Sequence, residues 1–243
     1  MTVQAMNEIN SRSVQAREKF NGRYCVVMPA FNAGESVEAL ARRTKELGFD
    51  VVVVNDGSTD KTAERASKAG AVVISHLRNR GKGRALQTGF EYARRMGYDG
   101  VVTLDSDGQH DPEEITRLIR AGEVQHAGIV LGNRMESGGD MPRIRWKTNR
   151  LMSSVVSAVT RQQIPDSQSG FRMIRKEVLD AIPVKAQHFE VETELLLKAS
   201  AKKWKIVSVP IRTIYGKEHH SYIKPVRDGL RFIALILSHL VFG

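Results

Sequence analysis

Cysteine is nearly absent: the 243 residues contain one, Cys25. It lies in an apolar, strand-like run. No internal disulfide can form, which fits a reducing compartment. Long apolar runs are also missing, and none reaches the ~20 residues of a spanning helix. The opening residues, MTVQAMNEINSRSVQAREKF, are polar and lack the apolar centre of a signal peptide. No internal repeat or low-complexity linker divides the chain. Zinc-finger spacing, an RNA-recognition signature and basic-zipper heptads are absent, and the basic residues are scattered. A net charge of +10 therefore points to phosphate ligands and an anionic membrane surface, with no nucleic acid expected. Neither a Walker A loop nor G-x-G-x-x-G occurs, which disfavours a dinucleotide fold.

What is present is an alternation. The apolar fraction is 41%, enough for a core. Residues 24–31 (YCVVMPAF), 50–56 (DVVVVND), 71–75 (AVVIS), 100–107 (GVVTLDSD) and 127–134 (AGIVLGNR) read as strands. Helical spacing falls between them, at 35–47, 61–69, 81–97 and 112–123. Strands that are apolar throughout predict an α/β fold, a mostly parallel sheet covered on both faces. Such sheets bind ligands beyond the carboxyl ends of their strands. After Arg134 the alternation ends. A flexible loop (MESGGDMPR) leads to a helix over 144–160, a turn into a strand over 164–174, a helix over 189–203 and a strand over 205–215.

The predicted ligand edge concentrates polar residues. Asp105 and Asp107 follow a buried strand with one residue between them. Residues i and i+2 of a strand point to one side, so their carboxylates would lie together. Close like charges are unfavourable unless a cation or a proton neutralises one. A hard divalent cation with oxygen ligands, Mg²⁺ or Mn²⁺, meets that need, and Gln109 and His110 are further ligand candidates. A lone D-x-D is ordinarily a solvated turn, and its position at the end of a buried strand reverses that reading. Asp56 ends another strand, where it can accept from a base N–H or a ribose hydroxyl, while Asp56-Gly57 also makes a good turn before a capped helix. The glycine-rich NRGKGRAL, with Lys82 before a helix, can approach a diphosphate. Asp166, Ser169, Gly170 and Arg172 share one turn, which reads as a structural Asx-type turn or as an acceptor contact.

The ordered set PAFNAGES, VVVVNDGSTD, NRGKGRALQTGF, TLDSDGQHDPEEI, GNR and DSQSGFRMIRKEV resembles glycosyltransferase family 2, in its dolichyl-phosphate mannose synthase-like, polyprenyl-phosphate branch. The likeness continues through FEVETELLLKA and KIVSVPIRTIYGKEHHSYIKPVRDGLRF, and so covers about residues 24–232. It implies a GT-A fold, with a Rossmann-like nucleotide-sugar half at about 22–135 and an acceptor half at about 136–225. A polar extension (1–21) precedes that single domain and an apolar, amphipathic helix (226–243) follows it. The resemblance assigns Pro29, Phe31 and Asp56 to the nucleotide base and ribose; Lys82 and Asp105 are the candidates on the diphosphate side. Asp105, Asp107 and Gln109 match the metal positions. Arg134 matches a basic position near a lipid phosphate, and Asp166, Ser169, Gly170 and Arg172 the acceptor-side turn. The first loop departs from the pattern, reading Asn32-Ala33-Gly34-Glu35 where Asn-Glu-Glu is common. The tail reads His219-His220-Ser221-Tyr222, where Ser followed by a basic residue is usual, and Lys217 or Lys224 would supply that charge.

The implied activity is inverting transfer of a sugar from a nucleoside diphosphate sugar, GDP-mannose or a UDP-hexose, to a polyprenyl phosphate. It would take place on the cytoplasmic face of the membrane. Asp107, Arg134 and Asp166 are the catalytic candidates, and Asp107 or Asp166 would serve as base if the acceptor were a hydroxyl. Transfer to a soluble or protein-bound hydroxyl, and an inactive sugar-nucleotide-binding scaffold, are the competing readings. The C-terminal helix reads equally as lying in the membrane interface, with Arg227, Arg231 and Ser238 on one stripe, and as packing on the core or a homodimer partner.

Overall fold

The computed structural model describes residues 20–136, 141–214 and 225–242. Lys217, Lys224, His219, His220, most of the polar extension and part of the 135–143 loop lie outside them. The described residues form a seven-stranded sheet in the order β3-β2-β1-β4-β6-β5-β7. The strands are β1 (Tyr24–Ala30), β2 (Asp50–Asn55), β3 (Val72–Ser75), β4 (Gly100–Thr103), β5 (Ile129–Asn133), β6 (Arg172–Arg175) and β7 (Ile206–Pro210). The sheet is mostly parallel, as the alternation predicts: β1 pairs in parallel with β2 and β4, β2 with β3, and β5 with β7. Only β6 runs the other way, between β4 and β5.

Burial on both faces explains the continuous apolar runs. From β1, Cys25 and Val27 enter one core layer and Val26 and Met28 the other. One layer is covered by α3 (Lys82–Arg95), α5 (Arg143–Thr160), α7 (Val191–Ala201) and α8 (Pro225–Phe242). The other is covered by α1 (Gly34–Glu46), α2 (Thr62–Lys68) and α4 (Ile115–Gln125). Asp111 caps the 3₁₀ turn Pro112–Glu114 ahead of α4 by accepting from the Glu113 N–H, a proline-first entry as the sequence predicts.

Several boundaries differ from the sequence expectation. β4 stops at Thr103 and leaves Asp105 and Asp107 in the following loop. The reason is local: Leu104 N donates to Val27 O, and beyond it the Ser106 hydroxyl, rather than a ladder amide, bonds the β1 strand at Pro29 O. A short helix, α6 (Lys176–Ala181), follows β6 directly and was not expected. The last strand ends at Pro210, which cannot donate to a ladder; a single bridge between His110 and Thr213 continues the approach.

Helix α3 lies close on β1 because Gly89 has no side chain: a Cβ there would meet Val27 Cγ1. Alanine gains helix propensity at that position but overpacks the contact. Gly89→Ala is expected to destabilise by about 1–2 kcal/mol, read from denaturant unfolding; an unchanged midpoint would show that the helix can lift off the strand freely.

Candidate active site

The carboxyl ends of β1, β2, β4 and β5 open on one edge, and β6 enters from that edge because it is antiparallel. Thr103 of β4 pairs with Arg172 of β6, so the turn before Arg172 lies beside the loop after Thr103. The Thr103 hydroxyl donates to Gly170 O at 2.6 Å. A Cβ on Gly170 would run into the Asp105 carboxylate, so only glycine leaves room for that side chain. Asp105, Gly170 and Arg172, far apart in sequence, are thereby brought together.

Asp105 and Asp107 do not share an environment. The alternation that predicts a same-side pair ends with the strand. Asp107 is exposed, and its Oδ1 accepts from Gln109 N at 3.0 Å. Asp105 turns inward, 2.6 Å from Lys82 Nζ, which also lies 2.6 Å from Glu192 Oε1. Burial would raise the Asp105 carboxyl, but the Lys82 ammonium outweighs it and holds the carboxyl below its ordinary value. Burial likewise disfavours the charged lysine, and Asp105 and Glu192 together overcome it and raise Lys82. Gln109 and His110 are buried next in the chain, and the His110 ring stands 5.1 Å from that of Phe171. Burial pushes His110 down to about 4, so it is neutral at pH 7.

The loops after β1 and β2 are tied together. Asn32 N donates to Ser58 Oγ and Thr59 N to Asn32 Oδ1, both at 2.9 Å. Pro29 is buried and Phe31 half-buried at the rim. Asp56 is buried, and its carboxylate accepts from Gly81 N at 2.7 Å, from Arg80 N and from the His76 ring, whose Nδ1 lies at 2.6 Å. The other His76 nitrogen meets Thr88 Oγ1 at 2.9 Å. Asp56 therefore shapes the glycine-rich loop. The N–H groups of Gly83 and Arg84, at the start of α3, point to Gln187 O. From this segment it is Lys82, through its side chain, that reaches the D-x-D loop.

On the acceptor side, Asp166 is fully buried and both its oxygens are engaged. Arg134 Nε donates to Oδ2 at 2.7 Å, Arg134 Nη2 to Oδ1 at 2.9 Å, and the Arg134 backbone N–H also donates to Oδ2. Burial opposes ionisation of Asp166, yet Arg134 prevails and lowers it. Arg172 is buried and bonds backbone oxygens of Ser169, Glu192 and Ser167 at 2.6–2.7 Å. Burial draws it down to about 10, still cationic at pH 7. Ser169 and Gly170 form the turn that Arg172 holds.

Glu192 and His76 were missed in the sequence reading. Glu192 had a faint signal, one of two acids, with Glu194, at the entrance to the apolar run of the helix VETELLLKASA. For His76 the signal was a polar ring directly after an apolar strand at the ligand edge.

Among the described residues, no group of three or more His, Cys, Asp or Glu gathers to hold a metal ion. The donors nevertheless suit a divalent ion of the Mg²⁺ type, which needs only one or two carboxylates and takes its remaining oxygens from water and substrate phosphates. Asp105 and Asp107 supply the carboxylates and Gln109 an amide oxygen. The buried His110 Nδ1 has no hydrogen-bond partner. Asp105 already draws a cation to itself in the form of Lys82.

Residues 25–182 match the family described as Glycosyl transferase family 2, and the chain belongs to that family. It is 32% identical over 206 residues to an undecaprenyl-phosphate mannosyltransferase of Micrococcus luteus, covering 78% of this chain and 82% of the relative. It is 29% identical over 213 residues to a UDP-N-acetylglucosamine–dolichyl-phosphate N-acetylglucosaminyltransferase of Methanococcus voltae, covering 78% and 85%. Among solved structures it resembles glucosyl-3-phosphoglycerate synthase from Mycobacterium tuberculosis, in a complex with Mn²⁺, UDP-glucose and phosphoglyceric acid. There the TM-score is 0.70 at 23% identity, covering 96% of this chain and 84% of that one. The fold is GT-A, as the ordered motifs imply.

Asp166→Asn strands the buried Arg134 charge and is expected to cost about 3–5 kcal/mol at pH 7. Because Asp166 is lowered in the folded state, its contribution is complete above the unfolded value of about 3.9 and is lost as pH falls through the lower folded value. The gap between variant and wild type should therefore close below about pH 4 in urea unfolding at several pH values. A gap that stayed constant across that range would show that Asp166 is not paired.

Proposed function

We propose that the protein transfers a sugar, with inversion, from a nucleoside diphosphate sugar to a polyprenyl phosphate. The observation that carries this reading is the charge arrangement at one sheet edge. Asp105 lies beside Lys82, with Asp107 exposed two residues on, and Arg134 and Arg172 stand behind the turn on the acceptor side. The activities of the undecaprenyl-phosphate and dolichyl-phosphate relatives support the acceptor class. The first and second loops, with Pro29, Phe31 and Asp56, receive the nucleotide. An acceptor phosphate is already anionic, so its oxygen attacks the anomeric carbon without a base. This agrees with Asp166 being fully committed to Arg134. The bond from the anomeric carbon to the diphosphate breaks, and its electron pair leaves on the diphosphate oxygen. Mg²⁺ or Mn²⁺ held by Asp105, Asp107 and Gln109 would supply positive charge to that leaving group. Lys82 adds a fixed cation, and Arg134 orients the acceptor turn. Ser169, Gly170 and Arg172 shape the acceptor side; Lys217 or Lys224, outside the described residues, would supply further positive charge to the acceptor phosphate.

Helix α8 supports action at an anionic membrane surface, which our reading places on the cytoplasmic face. Phe232 and Ile236 are buried against the core, while Leu230, Ile233, Leu237, Leu240 and Val241 are exposed along one stripe. Arg227 is exposed at its border. Among the described residues no helix is long and apolar enough to cross a membrane. An exposed apolar stripe with a basic edge matches a helix lying in the interface.

Label from GDP- and UDP-sugars should enter an organic-extractable product when polyprenyl phosphate and Mg²⁺ or Mn²⁺ are present. Asp107→Ala should lower that transfer by about 10²-fold or more. Label confined to the aqueous phase would exclude the lipid acceptor. In flotation with vesicles containing anionic lipid, the Ile233→Asp/Leu237→Asp variant should float less than wild type while unfolding at the same temperature. Equal flotation, or an exposed stripe lost in a dimer on sizing, would remove the membrane reading of α8.

A further inference from the structure

Lys82 joins the two sides of the site through charge. Its ammonium stands 2.6 Å from Asp105 Oδ1, on the D-x-D loop, and 2.6 Å from Glu192 Oε1, on α7. The Phe189 ring closes a third side, with its centroid 5.8 Å from Nζ. We propose that this ammonium is the resident counter-ion of Asp105. A divalent cation gains that carboxylate only when Lys82 releases it, and Glu192 retains the released ammonium beside the arriving diphosphate. The proposal rests on the metal-assisted reading above and adds a reason for metal and nucleotide to bind together.

Three observations support it. First, Asp105 is packed against Gly170, so the carboxylate has little room to turn away from Lys82 toward a second cation. Second, Glu192 Oε2 is buried without a hydrogen-bond partner, so Glu192 has an unused acceptor for an ammonium hydrogen that leaves Asp105. Third, a metal ion and an ammonium on one carboxylate repel each other. A diphosphate supplies the negative charge that lets both cations stay. Metal affinity is then low in the free protein and rises with nucleotide, and by linkage the metal raises nucleotide affinity by the same factor.

The test measures binding without turnover: free Mn²⁺ is counted by electron paramagnetic resonance, with the full chain, with and without UDP or GDP. For wild type, nucleotide should tighten Mn²⁺ by about tenfold. Lys82→Met should bind Mn²⁺ without nucleotide about tenfold more tightly than wild type and lose most of the nucleotide effect. Lys82→Arg, which keeps the charge, should remain weak. Glu192→Gln should shift in the opposite direction, because the ammonium then belongs to Asp105 alone, and should bind Mn²⁺ several-fold more weakly. A folded Lys82→Met with unchanged or weaker affinity overturns the counter-ion role, as does a Glu192→Gln that binds as well as wild type. Should Lys82→Met fail to fold, Lys82→Arg and Glu192→Gln still decide. Absence of Mn²⁺ binding to wild type even with UDP and GDP overturns the metal reading itself, and the counter-ion proposal with it.

Discussion

The antiparallel pairing of β6 with β4 is the constraint on which the site depends. Apart from the two pairings of β6, with β4 and β5, the sheet is parallel, so its loops alternate between the two edges. A parallel β6 would send the 166–171 turn to the edge away from the ligand. Reversed, and registered with Arg172 opposite Thr103, it delivers that turn to the loop that carries Asp105. The strand costs little to reverse, because its neighbours accept it in ordinary antiparallel geometry on both sides.

The second constraint is charge balance. Lys82, Arg134 and Arg172 are set among Asp105, Asp166 and Glu192, largely shielded from water. Buried charges survive only when each has a partner. Arg134 meets this with a bidentate pair and Arg172 with three carbonyl oxygens. Lys82 differs, since one ammonium is shared between two carboxylates on different elements. Asp107 is exposed at the mouth.

The parallel half of the fold was legible because burial on both faces leaves an unmistakable trace, runs such as VVVV at 51–54. Strand ends were less so. The β4 run looks continuous through Asp107, yet a serine hydroxyl replaces the ladder after Leu104, and nothing in residue type marks the change. The reversal of β6 was illegible for a related reason: RMIR has the same alternation in either direction. The D-x-D loop, the glycine-rich segment and the DSQSGFR turn were found from polar residues crowding the strand ends. Their partners were harder to find. Glu192 lies 87 positions from Asp105 in sequence numbering, and the pair meets only through Lys82. Asp56 was read from its strand-end position alone, while its bonds to Arg80, Gly81 and His76 depend on how a later loop folds back.

Arg172 holds its turn by the carbonyl oxygens of Ser167, Ser169 and Glu192. Every amino acid carries a carbonyl oxygen, so this grip is indifferent to side-chain identity. Apart from Asp166, which pairs with Arg134, and Gly170, which leaves room for Asp105, the side chains of the turn are thus left as separate variables. A lineage can exchange those side chains and change what the turn touches without redesigning its path. Divergence of ligand preference at this corner need not begin with a change of scaffold.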